Sequence, residues 1–225
     1  MKWTKSLAAH LSRVRGPTQQ QLDAQRADLV RQMPAPTFWF FGKAGSGKSS
    51  LVRLLTGADG AEIGRGFRPT TSQTSLYSFP APEMPIMHFL DTRGLGEAGY
   101  DAAQDIAELK QRAHAMIVTQ RLLDFATESV VESLRAIRKS APSRPVLLAL
   151  TCLHEAYPQQ QHPPYPFTES LLPENIPESV ARAVAAQQEG FSGLIDSTVP
   201  VDITRPEEGF SPPDYGGAQF IETLT

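Results

Sequence analysis

Residues 38 to 50, FWFFGKAGSGKSS, restrict this chain more than any other stretch. An apolar run stops at a glycine and changes at once to small residues, a lysine and two serines. The run is short, aromatic and uninterrupted, which predicts a buried strand. Gly42, Gly45 and Gly47 then permit backbone turns that a side chain would forbid. Gly42, Gly47, Lys48 and Ser49 fill the pattern GxxxxGK[ST], a phosphate-binding loop when a strand precedes it and a helix follows. The sequence supplies both flanks. Residues 36 to 42 are strand-like, and KSSLVRLLTG sets Leu51, Leu54 and Leu55 at helical spacing before Gly57 stops the helix. Free N–H groups of the loop and of the helix N-terminus would face the phosphates, where the helix dipole also favours negative charge. The expected phosphate-binding residues are therefore Gly42, Lys43, Ala44, Gly45, Ser46, Gly47, Lys48, Ser49 and Ser50. Lys48 would reach the β- and γ-phosphates, and Ser49 would offer its hydroxyl to Mg2+.

Composition fits such a domain and narrows its setting. With 225 residues, 40% hydrophobic and 20% charged, the chain can bury one sizeable core. A net charge of −3 gives no general attraction to nucleic acid, and no DNA partner is expected. The single cysteine, Cys152, ends an apolar run and reads as an inert thiol. MKWTKSLAAHLSRVRG has neither a long apolar centre nor a small-residue cleavage pattern, so no secretion signal is read. No apolar stretch reaches the roughly 18 residues of a membrane span. A cytoplasmic protein is expected.

Two helices are predicted at 4 to 14 and 19 to 33, closed by Pro34 and Pro36, which sets residues 1–34 apart as an N-terminal helical extension. Residues 35–225 form the second domain. Strands are expected at about 73 to 79, in PIMHFLD, AHAMIVTQ, PVLLALTC and STVPVDI, and helices near 101 to 112, in TESVVESLRAIRKS and in ESVARAVAAQQEG. This alternation predicts a mostly parallel sheet covered on both faces. Ligands bind such sheets at the carboxyl ends of the strands, where Gly42, Asp91 and Thr151 fall. Residues 156–177 are too rich in proline for a regular element and read as an insertion packed on its own domain. The last residues barely start a closing helix, which reads as cut short relative to a longer relative.

A phosphate loop alone leaves kinases, ATPases and GTPases open. FLDTRG narrows the choice, because an apolar strand delivers Asp91 and Gly94 completes DxxG. Such an aspartate can hold a magnesium-bound water, and the glycine N–H can sense the γ-phosphate. Between the two motifs, FRPTTSQT offers Thr70 and Thr71 as the residue whose hydroxyl joins the magnesium shell when triphosphate is bound. Thr71, nearer the following strand, is preferred. Ser49, Thr71 and Asp91 are thus the expected metal residues, with Lys48, Thr71 and Gly94 at the reacting phosphate.

GKAGSGKSS, RPTT and DTRGLGE, in this order, resemble the Era, septin and dynamin-like side of the translation-factor-related GTPases, over about residues 36 to 205. The resemblance implies a Ras-like P-loop fold, a six-stranded mostly parallel sheet flanked by helices, with GTP or GDP as ligand, Mg2+ as cofactor and a GTP-dependent switch. Two departures bear on mechanism. Leu95 stands where Ras-like proteins carry the glutamine that positions water, so hydrolysis must draw on another group, the substrate or a partner. Slow turnover, assisted by a second copy of the chain or an activating protein, is expected. Arg65, Arg68 and Arg93 lie in the expected switches as candidate charge stabilisers. The family's potassium-activated members have an asparagine where this chain has Gly45.

The second departure concerns the base. The family reads guanine with NKxD after the fifth strand, and here that strand ends ALTCLHEAYP. Thr151 fits the first position, Cys152 replaces lysine, and His154 stands in place of aspartate. Glu155, one residue on, and Asp202, in PVDIT, are the candidate base readers. The leading reading is a magnesium-dependent GTPase switch. The alternatives are a nucleotide-binding interaction module with little hydrolysis and an ATP-binding P-loop protein. The basic, partly apolar N-terminal helix is read as packing on the domain in preference to lying at a membrane surface.

Overall fold

The computed structural model describes residues 35–57, 67–69, 74–79, 87–92, 112–157, 161–168, 170–174 and 176–224, with the isolated positions 18 and 85. The chain divides into a unit of residues 1–35 and a unit of residues 36–225, and every element described lies in the second. The helices expected at 4 to 14, 19 to 33 and 101 to 112 fall almost wholly outside the described residues.

Strand β1 (Thr37–Gly42) leads into helix α1 (Lys48–Thr56). The strands β2 (Phe67–Pro69), β3 (Thr74–Phe79), β4 (Met87–Thr92) and β5 (Ala115–Arg121) follow, then helix α2 (Glu128–Ser140) and β6 (Val146–Thr151). A short 3-10 turn, Leu153–Ala156, precedes helix α3 (Glu178–Gly190) and β7 (Ser197–Pro200). The strand pair β8 (Asp202–Ile203) and β9 (Asp214–Tyr215) comes next, and helix α4 (Gly217–Thr223) closes the chain.

The sheet runs β2-β3-β4-β1-β5-β6-β7. Strands β4, β1, β5, β6 and β7 pair parallel, while β3 runs antiparallel to β4. The mostly parallel sheet flanked by helices is the expected Ras-like architecture, with the three-residue β2 added at its edge.

Side-chain alternation along the strands distributes the core over both faces. Trp39, Phe41, Met116, Val118, Leu148 and Leu150 form one apolar cluster with Val130 and Leu134 of α2 and Val180 and Val184 of α3. Phe40, Ile117, Leu147, Ala149 and Val199 form the other with Leu51 and Val52 of α1 and Phe220 of α4. This burial on both faces explains why β1, β5 and β6 read as continuous apolar runs.

The run STVPVDI does not make one strand. Main-sheet pairing ends at Pro200, opposite Leu150, and Asp202 and Ile203 turn to pair with Tyr215 and Asp214. The Val201 N–H still donates to the Leu150 carbonyl at 2.8 Å, and on the edge facing away from β6 the Pro200 carbonyl accepts the Tyr165 hydroxyl at 2.6 Å. Tyr165, Leu171 and Ile176 of the proline-rich stretch pack against the first cluster, which Phe167 joins as a buried member.

Candidate functional site

The phosphate loop links the end of β1 to the start of α1, at the carboxyl edge of the parallel strands. Gly42, Gly45 and Gly47 all have positive φ, at 155°, 72° and 87°. At Gly42 a β-carbon would stand 2.3 Å from the Thr119 carbonyl oxygen, so the β1–β5 approach leaves room only for glycine. Gly47 caps α1 in the left-handed region and accepts the Leu51 N–H at 3.0 Å. Thr151 packs beside it, 3.4 Å from the position of a β-carbon.

Lys48, the first residue of α1, folds back along the loop. Its Nζ donates to the Lys43 carbonyl at 2.8 Å and to the Gly42 carbonyl at 3.2 Å. The ammonium thus spans the concave side of the loop. Ser46 is buried, its hydroxyl 2.6 Å from that of Thr119. The Thr151 hydroxyl donates to the Ser46 carbonyl at 3.0 Å. Ala44, Gly45 and Ser49 are exposed, as a loop open to a ligand requires.

The segment after β5 buttresses the loop. Lys43 Nζ meets Asp124 Oδ2 at 2.8 Å, and Asp124 Oδ1 accepts the Ala126 N–H at 3.1 Å. Burial alone would raise the Asp124 pKa, but these bonds more than offset it and hold the carboxyl below its usual range. Gln120 Nε2 donates to the Asp124 carbonyl at 2.6 Å, and Gln187 Nε2 donates to the same carbonyl at 2.9 Å and to that of Leu122 at 3.0 Å. Gln187 had a sequence signal of its own. It sits on the stripe Val180, Ala183, Val184 that α3 buries, and a polar side chain there needs buried partners.

Of the expected switch residues, Asp91 lies in β4 and is paired by its backbone with Phe40 and Ser75, which carries it to the same carboxyl edge. Thr70, Thr71, Gly94, Leu95, Arg65 and Arg93 lie outside the described residues.

The base-side candidates are all engaged within the protein. Asp202 is buried, 1% exposed. Its Oδ2 accepts the His154 backbone N–H at 2.6 Å, and its two oxygens lie 3.0 and 2.8 Å from His154 Nδ1. Burial raises the Asp202 pKa, with the His154 contacts opposing the shift. Glu155 instead stays part-exposed and pairs with Arg121, the last residue of β5. Its carboxylate and that of Asp202 therefore lie in different surroundings, although the sequence offered the two as equals. Cys152 joins β6 to the turn that carries His154 and Glu155, with φ of 56°. Burial pushes its thiol up to about 11, against an opposing influence from Arg121, which makes it an inert group at neutral pH. Behind the turn, the His162 ring stacks on Tyr215 at 4.2 Å and tilts against Phe210, which also meets His154.

A glycine-lined loop at a strand–helix junction, on the carboxyl edge of a Ras-like sheet, defines a P-loop nucleotide-binding domain. Residues 37–151 match the family described as 50S ribosome-binding GTPase, and the chain belongs to this P-loop GTPase family. That match runs from β1 through β6 and so includes the loop, β4 with Asp91, and Thr151. No curated protein matches the chain significantly. Among solved structures, the bacterial selenocysteine-specific elongation factor EF-Sec aligns at 16% identity with a TM-score of 0.52, over 85% of this chain and 28% of its own. At that identity the likeness shows the fold. The G domain of the T. maritima FeoB iron transporter aligns at 16% identity and TM-score 0.45, over 85% of this chain and 97% of its own. A GTP-binding protein of Sulfolobus solfataricus, solved with GDP, aligns at 13% and 0.37, over 89% of this chain and 55% of its own. The chain thus spans about a quarter of the elongation factor and about half of the archaeal protein. Among the described residues, no helix is long and apolar enough to cross a membrane.

Proposed function

We propose that the chain is a magnesium-dependent guanine-nucleotide switch of the Era, septin and dynamin-like kind, which binds GTP and GDP and hydrolyses GTP slowly. The observation that carries this reading is the loop itself: Lys48 drawn across its concave side, with glycines at the positions where the backbone turns. Lys48 would exchange its two loop carbonyls for β- and γ-phosphate oxygens, which are stronger, charged acceptors. Backbone N–H groups from Lys43 to Ser50 would cradle the phosphates.

The donors fit magnesium. Ser49 is exposed at the start of α1 and the backbone of Asp91 lies at the carboxyl end of β4, so a hydroxyl residue and a carboxylate residue, the kinds of ligand this hard cation prefers, fall at one edge of the sheet. When bound, magnesium supplies charge neutralisation at the β- and γ-phosphate oxygens. Thr71 would add a ligand in the triphosphate state alone, and the Gly94 N–H would sense the same phosphate; their loss on hydrolysis is the switch. With Leu95 in place of a water-positioning glutamine, turnover stays slow until a second copy of the chain or an activating partner supplies the missing group.

For the base we infer Glu155 as the reader, accepting from guanine N1–H and the 2-amino group. Its competitor Asp202 is buried with both oxygens committed to His154, whereas Glu155 is part-exposed. The test is calorimetric titration of nucleotide-stripped protein with GDP, a non-hydrolysable GTP analogue and the matching ATP analogue in magnesium, followed by phosphate release from GTP. Binding of the guanine ligands alone with slow release supports the reading. Preference for the ATP analogue, or binding of none, refutes it.

A further inference from the structure

Arg121 was not singled out in the sequence, where it merely ends the apolar run of β5. In the fold it occupies a particular junction. Its backbone is the register partner of Thr151, at the carboxyl ends of adjacent strands β5 and β6. From there one guanidinium nitrogen, Nη2, reaches Glu155 in the turn beyond β6. The other, Nη1, lies 4.0 Å from where a β-carbon on Gly45 would stand. The guanidinium therefore pairs with the carboxylate inferred to read the base at a position close to the exposed crest of the phosphate loop. Both ends of the pair keep solvent contact, with side chains 40% and 30% exposed, so a ligand can reach them.

The backbone beneath Arg121 is fixed. The Leu122 N–H donates to the Thr151 carbonyl at 2.8 Å, and the Gln187 side chain holds the carbonyls that follow. The carboxylate side is fixed too, since Asp202 clamps the His154 N–H and ring immediately before Glu155. A long glutamate side chain on an open turn would otherwise sample several rotamers, and each must be lost before two parallel hydrogen bonds to a base edge can form.

We propose that Arg121 is a positioning residue for base recognition, holding the Glu155 carboxylate beside the phosphate loop in the orientation that accepts both guanine N–H donors. The inference rests on Glu155 being the base reader. Arg121 suits this task because its charged Nη2 holds one Glu155 oxygen, Oε1, and a carboxylate gripped at one oxygen keeps lone pairs for further donors. Cys152, at the family's lysine position, is a neutral thiol and cannot serve as the cation there.

The experiment measures affinities of wild-type protein, R121Q, R121K, E155Q and the double variant for GDP, inosine diphosphate and ADP, with thermal unfolding of each. Inosine keeps N1–H and lacks the 2-amino group, so the GDP-to-inosine ratio reports the second bond. R121Q should weaken GDP about ten- to a hundredfold, the loss of a charge-assisted hydrogen bond, and compress the GDP-to-inosine and GDP-to-ADP ratios. R121K should recover part of the selectivity. The double variant should bind GDP no more weakly than E155Q alone, because Arg121 acts through Glu155. With GTP as substrate, R121Q should raise KM and leave kcat unchanged, since base contacts are the same in ground and transition states. The proposal is overturned if R121Q keeps wild-type selectivity, if it weakens GDP and ADP equally, or if the two substitutions add. If E155Q itself leaves the ratios unchanged, Glu155 is not the reader and the inference falls with it; a shift in E155Q without one in R121Q and R121K refutes the role of Arg121 alone.

Discussion

Two alanine substitutions in the phosphate loop should separate the structural demand for glycine from the ligand's demand. Gly42 and Gly45 both have positive φ, 155° and 72°, but their surroundings differ. A β-carbon at Gly42 would lie 2.3 Å from the Thr119 carbonyl oxygen, 2.5 Å from the Thr119 hydroxyl and 2.9 Å from the Ser46 hydroxyl. None of these atoms ends a flexible chain. Thr119 is in the middle of β5, its backbone in register with Gly42, and its hydroxyl is locked to Ser46 at 2.6 Å. Gly42→Ala therefore combines unfavourable backbone geometry with overpacking, each costing about 1–3 kcal/mol, for a total near 4 kcal/mol. In a chain of this length about 4 kcal/mol lowers Tm by roughly 8–16 °C. At Gly45 the nearest atom is a guanidinium nitrogen of Arg121 at 4.0 Å, an ordinary van der Waals distance that requires nothing to shift. Gly45→Ala carries only the left-handed backbone cost, about 1–2 kcal/mol, and a Tm shift of about 2–8 °C. Its larger effect should be on nucleotide affinity, because the new methyl group stands on the exposed crest of the loop. Thermal unfolding without nucleotide, paired with GDP titration, reads both quantities. Equal Tm shifts for the two variants would refute the assignment of Gly42 to a backbone contact with β5.

Three further outcomes follow from buried or charged groups. Gln187→Leu should destabilise by about 2–4 kcal/mol in denaturant unfolding, since it leaves the Leu122 carbonyl without its side-chain donor and puts an apolar group against it; a loss below about 0.5 kcal/mol would deny Gln187 its bracing role. Burial, reinforced by nearby His154, lowers His162 to about 4. The unfolded chain then binds the extra proton, so stability is full above about pH 6.5 and declines toward pH 4, by at most about 1.4 kcal/mol per pH unit, and His162→Phe should flatten that decline. For Asp196, burial would raise the pKa, but the Arg138 side chain at 2.6 Å and the Val146 N–H at 2.7 Å more than offset it and lower it. Its stabilisation is present above the ordinary carboxylate range and lost as pH falls through the lowered value. Asp196→Asn should cost about 1 kcal/mol at pH 7, a figure discounted because the side chain is 55% exposed, and should make the acid limb shallower; an unchanged acid limb would count against the pairing.

The phosphate side of the site was legible in the sequence because backbone makes it. A loop that turns through positive φ needs glycine at fixed offsets, and Gly42, Gly45 and Gly47 record that need in the string itself. The alternation of apolar strands and amphipathic helices likewise recorded the parallel sheet, since burial on both faces imposes continuous apolar runs on β1, β5 and β6. The pairing of β8 with β9 was hidden, because STVPVDI keeps a strand-like composition through the point, just after Pro200, where the chain leaves the main sheet. Here local propensity and tertiary pairing diverge.

The base side was illegible for a different reason. Its partners are separated by 34 residues for Arg121 and Glu155 and by 48 for His154 and Asp202, so no local pattern links them. Asp202 and Glu155 carry the same functional group and both lie near the expected position, yet the fold gives them different surroundings. A carboxylate enclosed by protein must have its acceptor capacity filled from inside, which makes Asp202 a brace for the turn. A carboxylate held at one oxygen by a partly solvated arginine retains capacity for an incoming donor. The distinction depends on which residue the β7–β8 break turns inward. Just before that break Tyr165, a residue of the proline-rich stretch, donates its hydroxyl to the Pro200 carbonyl. The proline-rich stretch thus meets the chain two residues before Asp202, whose carboxylate is taken up by His154, while Glu155 stays part-exposed beside Arg121.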